Sequence, residues 1–150
     1  MSDNTRWGAD LRLLDNLLRQ NDLDVGEDLF VTERLETGQI DLETVVADDN
    51  LKQALLLRFL TRRGELELLG HPTYGSRLFD LLGERNTLAN RNRAKLYVLE
   101  ALAMEPRVAE VLSVQVETNH AEPTQIDISV RLRPIYADTV LNLVFPFFLE

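Results

Sequence analysis

Pro106 divides the chain between two periods. Before it, apolar residues recur at helical spacing; after it, they alternate. The dividing stretch is "LAMEPRV", residues 102–108. Proline costs about 3 kcal/mol inside a helix, so it stops this one. It also pushes Glu105 toward extended backbone, where residues i and i+2 point the same way. Glu105 and Arg107 are therefore expected to project together from a helix-to-strand corner. A carboxylate at a helix C-terminus has the wrong sign for the dipole, and Arg107 is close enough to offset it. Punctuation accounts for Pro106 but not for its charged neighbours. A guanidinium held beside a carboxylate is a bidentate anchor for a partner.

Downstream, Leu112, Val114 and Val116 alternate with Ser113, Gln115 and Glu117. Ile126, Ile128, Val130 and Leu132 alternate with Asp127, Ser129, Arg131 and Arg133. The loop 119–124 between them is of hairpin type. A third strand, 139–148, alternates less cleanly, with Leu141, Leu143 and Phe145 on one side and Val140, Asn142 and Val144 on the other. Pro146 belongs at an edge or a strand end.

Upstream, Trp7, Leu11, Leu14 and Leu18 predict a helix over 5–20. Short strands over 29–32 and 39–44 turn around Gly38. A mostly apolar, central helix is predicted over 51–64, capped by Asp49 or Asn50 and ended by Gly64. Ser76 caps a short helix over 77–82. Thr87 caps the longest helix, 88–105, with Leu88, Ala94, Tyr97, Val98, Ala101, Leu102 and Met104 on its buried side. The expected fold class is α+β, helices followed by a three-stranded antiparallel C-terminal sheet. Residues 1–50 read as an acidic N-terminal arm, a helix plus irregular or short strands, and 51–150 as the main domain.

The net charge of −9 is concentrated in that arm, where 13 acids face 4 bases; residues 51–107 carry 10 bases against 6 acids. Such acidity argues against nucleic acid as a partner. The arm either serves solubility or meets a basic neighbour in an assembly. The absence of cysteine excludes disulfides and thiolate chemistry and fits a reducing compartment. The N-terminus lacks the apolar run of a signal peptide, and no uncharged stretch approaches the ~20 residues that span a bilayer, so no membrane partner is expected.

Catalytic patterns are sparse. His71 and His120 sit in predicted loops without metal-ligand spacing, so no metal site and no cofactor are implied. Ser76 in "YGSRL" lacks the second glycine of a nucleophile elbow. A glycosidase pair could be drawn from Glu65, Glu67, Asp80, Glu84 and Glu105, but nothing in the sequence makes two of them converge.

The ordered set "TRRGEL" (61–66), "GHPTYGSRLFDLLGE" (70–84), "LYVLEAL" (96–102), "EPRV" (105–108) and "VLSVQVE" (111–117) resembles the baseplate wedge, or sheath-initiator, proteins of contractile tails. These occur in phages, type VI secretion baseplates and phage-tail-like injection particles, and carry an old "lysozyme-like" label. The resemblance covers about 51–133. It implies a structural protein, not an enzyme, that joins the baseplate wedge to the tube and sheath and templates the first sheath ring. It implies wedge attachment through Glu105, Pro106 and Arg107, with Tyr74, Gly75 and Arg77 of the second motif beside them. It implies strand addition by sheath subunits along Val140, Asn142, Val144 and Phe145. The implied partners are wedge proteins, sheath subunits and the inner tube, with copies arranged in a ring, assembled in the cytoplasm and then built into a baseplate. A small peptidoglycan hydrolase of a tail is the alternative; an acidic adaptor unrelated to tails is a third reading.

Overall fold

The computed structural model describes residues 7–15, 17 and 29–149. The switch of period at Pro106 is a switch of layer. Two helices, α1 (Ala47–Leu60) and α2 (Leu88–Ala103), precede a C-terminal antiparallel sheet. Taking strands in chain order, β1 (Ala9–Leu11) pairs with β4 (Thr44–Val46), and β2 (Val31–Glu33) with β3 (Ile40–Leu42). The main sheet is β5 (Val108–Thr118), β6 (Gln125–Pro134) and β7 (Leu141–Phe148), with β6 in the centre. The expected α+β class, helices followed by a three-stranded meander, is the observed one.

One face of the main sheet is buried under the helices. Ile126, Ile128, Val130 and Leu132 of β6 and Leu143 and Phe145 of β7 are fully buried. From α1, Leu51, Leu55, Leu56 and Phe59 meet them. Phe59 stacks on Phe145, ring centres 4.9 Å apart and planes 11° apart; Phe79 meets Phe147 edge-on at 6.0 Å. Such pairs add about 0.5–1.5 kcal/mol each beyond the area they bury. The other face, with Gln115, Arg131 and Asn142, is exposed, as expected of an antiparallel sheet covered on one side.

Several expectations are corrected. The helix over 5–20 is not formed at Ala9–Leu11, which is a strand; 1–6, 16 and 18–28 lie outside the described residues. Tertiary contacts override the helical spacing there. Gln53 of α1, itself buried, donates to Leu11 O at 2.8 Å and accepts from Leu13 N at 2.8 Å. Asn50 donates to Trp7 O at 2.8 Å. Two side-chain amides thus hold the N-terminal segment extended, and Asn50 is unavailable as a cap. Helix α1 begins at Ala47 with Val46 at its N-cap and ends at Leu60, short of Gly64. Thr87 does cap α2, accepting from Asn90 N at 3.2 Å. Leu88 and Met104, expected inside, are 66% and 50% exposed.

In β5, extra residues at Ala109 and Leu112 shift the register against β6 twice. Each bulge reverses the inward phase, so Val108 and Val111 pack toward the core with Val114, while Leu112 turns to solvent.

Candidate functional site: the Glu105–Arg107 corner and the β7 edge

Helix α2 stops at Met104, and the next three residues fold the corner. Glu105 N donates to Leu102 O, and Ile135 N to Arg107 O, which fastens the corner to the end of β6. The two side chains meet, but the carboxylate points inward. The Glu105 side chain is only 3% exposed. Its carboxylate accepts from Arg107 Nε at 2.7 Å and Nη2 at 3.3 Å, and from Arg58 Nη2 at 3.2 Å. Arg58 comes from the last turn of α1, and its guanidinium lies 4.6 Å from the centre of the Tyr74 ring. The site is thus a buried carboxylate clamped by two guanidiniums. Pro106 and Arg107, the latter at 27% side-chain exposure, reach solvent, and Tyr74 is half-buried beside them.

Arg58 is the member that sequence reasoning missed. Its signal was there: one cation inside the apolar run "LLLRFL" must find a buried counter-ion.

Burial alone would push the Glu105 carboxyl up. The hydrogen bonds and charge of Arg107, with Arg58 behind it, more than offset this, and the carboxyl sits below its ordinary value. A depressed carboxyl stabilises the fold fully above its unfolded value, about 4.3, and that contribution is lost as pH falls through the lower folded value. The midpoint of urea unfolding is therefore expected to hold from neutral pH to about 5 on account of this group, and to fall below about 4. Glu105→Gln should remove that component of the acid limb, which paired unfolding curves of the two proteins would measure.

The second motif runs beside the end of α1. Ser76 N donates to Thr61 O, and Arg63 N to Ser76 O, both at 2.9 Å. The buried Ser76 hydroxyl donates to Phe59 O at 2.8 Å and accepts the Leu78 amide, at the entrance to a short 3-10 turn, Leu78–Leu81. Gly75 is buried at φ +102° with its backbone against Thr61 and Arg62, so its part is to permit this approach. Arg77 stacks on the Tyr97 ring at 4.5 Å and pairs with Asp80 at 3.2 Å. Arg77 stays exposed, while Tyr74 is half-buried.

The alternation of donors along β7 can be read from its ends. Leu149 N donates to Thr124 O, on the β6 side. Pro146, opposite Asp127, has no N–H to give β6. Both place the odd-numbered residues of β7 in the ladder with β6 and turn the even-numbered ones outward. Asn142 and Val144 therefore present N–H and C=O groups along a free edge, whereas Pro146, which has no N–H, is itself buried. Among the described residues no other hydrogen bond reaches these groups. Phe145 belongs to the opposite set: its ring is in the core and its backbone faces β6, so it is corrected from an edge contact to a core residue.

Carboxylate chemistry finds little support. Glu65 and Glu67 line one open groove with Arg62, Arg63 and Phe79. Both are exposed to solvent, the opposite of the desolvated setting a general acid needs. Asp80 and Glu84 are exposed as well, and Glu105 is shifted the wrong way for a proton donor. His71 and His120 are exposed, and no group of metal-ligating side chains converges among the described residues. No described helix is long and apolar enough to cross a membrane.

Residues 45–135 match the family model described as baseplate wedge protein gp25. A solved structure from Geobacter sulfurreducens, named provisionally as a tail lysozyme, is similar at 28% identity and a TM-score of 0.57; the match covers 65% of this chain and 86% of that one. No curated protein matches the chain.

Proposed function

The chain belongs to the baseplate wedge protein gp25 family, and from that premise we propose that it is a joint between the wedge and the sheath of a contractile tail. It attaches to wedge proteins at the 105–107 corner and templates the first sheath ring by accepting a strand along β7. The observation that carries this reading is the free edge of β7.

A flat, apolar edge strand invites pairing with another chain, and folded proteins usually block it. The two outer edges of this sheet differ in that respect. Edge β5 carries two bulges, which break the regular spacing a partner strand would need. Edge β7 has none from Leu141 to Phe148. An added strand would bond to Asn142 and Val144, with Val140 continuing the line, and Pro146 would limit its length. Sheath subunits, the inner tube and a ring of copies are the partners and arrangement this reading requires.

At the corner, the carboxylate serves the fold and the surface is left to Pro106 and Arg107. The buried clamp fixes the Arg107 side chain and lowers the entropy cost of holding it for a wedge protein. Tyr74 and Arg77 extend the same surface, each bound into an arginine-on-tyrosine stack.

Val144→Pro separates edge from fold. The lost N–H points outward, so the β6 ladder keeps its bonds. Baseplates are expected at normal yield and sheaths on them to be lost. Sheathed particles at wild-type yield, counted by electron microscopy, would rule out strand addition along this edge. A hydrolase would instead clear a cell-wall zymogram in a manner dependent on Glu65 or Glu105; Glu65 is exposed to solvent and Glu105 is held ionised.

A further inference from the structure

Two exposed apolar surfaces lack a partner within the described residues, and their charges are opposite. The first is the β2–β3 hairpin. Its register pairs Val31 with Leu42 and Glu33 with Ile40, which puts Val31, Ile40 and Leu42 on one face. All three are exposed, at 59%, 75% and 40%, and Leu35 at the turn is fully so. A two-stranded hairpin alone is marginal in water and needs a surface to lie on. Its uncompensated charge is acidic. Arg34 is taken by Asp41 and Arg12 by Glu43, so Glu33 and Glu36 have no cation among the described residues.

The second is the outer face of α2. Leu88, Leu96 and Leu99 fall within roughly a quarter turn of the helix and are exposed. Lys95 lies beside them, exposed, with no acid paired to it among the described residues. Before Glu100 the helix carries three bases and no acid. The stripe is apolar and basic, where the hairpin is apolar and acidic.

We propose that the β2–β3 hairpin of one copy packs on the α2 stripe of a second copy. Both complementary halves occur in one chain and therefore in equal numbers, which favours a second copy over an unrelated partner. The two patches differ, so the contact is head-to-tail and propagates into a ring or an open row. It uses neither β7 nor the 105–107 corner, and it stands or falls separately from the strand-addition reading.

Sedimentation of the full-length chain tests it. Concentration-dependent association is expected at low salt, weakening about tenfold toward ~1 M salt, where the Debye length is about 3 Å. Lys95→Glu should weaken association about tenfold, as should Glu33→Lys combined with Glu36→Lys. Mixing the two variants should restore it, because each reversed patch then meets its complement. A chain that stays monomeric at every concentration would overturn the proposal and assign both patches to other baseplate proteins. Association indifferent to the substitutions, or not restored by mixing, would overturn it as well.

Discussion

Glu105→Ala is expected to destabilise the chain by about 3–5 kcal/mol, the cost of leaving a buried ion pair without one of its members. Arg58, whose side chain is only 11% exposed, would keep its charge with no carboxylate in reach. For a domain of this size that is a fall in Tm of roughly 10 °C or more. The asymmetry of the clamp gives the control. Arg107→Ala removes the more exposed guanidinium and leaves Glu105 its bond to Arg58. Its cost should be nearer ~1–2 kcal/mol, the value of a charge-assisted hydrogen bond, and the protein should fold. An apolar double replacement, Arg58→Met with Glu105→Leu, should be less damaging than Glu105→Ala alone, since it removes both desolvated charges. Thermal melts of the four proteins check the order. Equal losses for Glu105→Ala and Arg107→Ala would mean that Arg58 is not the residue left exposed to the deficit. Because Arg107→Ala retains the fold, failure of that variant to enter baseplates would reflect the lost anchor.

Gly75→Ala is the second large effect. A Cβ there would lie 2.6 Å from Thr61 O and 2.9 Å from Arg62 C and O, all backbone atoms that cannot swing aside. The φ of +102° adds strain of about 1–3 kcal/mol for any residue with a side chain. Together these should cost at least ~3 kcal/mol and separate the 76–77 segment from α1. The bonds of Ser76 to Thr61 and Arg63 would go with it, and Arg77 would lose its seat on Tyr97. Gly64→Ala is the contrast: its φ is also positive, but its added Cβ would meet nothing within 4 Å. It should cost only the conformational strain. A melt in which both substitutions cost the same would show that the close approach at Gly75 contributes nothing.

How legible the molecule was in its sequence follows from how local each determinant is. Pro106, the hairpin loop 119–124 and the Thr87 cap act over a few residues, and they gave the layer order and the start of α2. The β6 alternation was clean because β6 is central and the extra residues of the ladder fall in β5, not in β6. The β5 alternation misled at Leu112 because bulges are set by pairing with Arg131 and Arg133 across the sheet. The N-terminal strand was hidden because its bonds come from Gln53 and Asn50, some forty residues away in the chain. At the candidate site, the pairing of Glu105 with Arg107 was readable from i, i+2 geometry. Its inward direction was not, because that depends on Arg58, 47 positions earlier.

The central claim is that β7 is an edge left open for a strand from another subunit. Amide hydrogen exchange along β7, in the isolated chain and in sheathed particles, tests it most directly. In the isolated chain the amides of Leu143 and Phe145, bonded to β6, should exchange slowly, and those of Asn142 and Val144 fast. In sheathed particles all four should be slow. Slow exchange at Val144 already in the isolated chain, or fast exchange there within the sheathed particle, would contradict the claim.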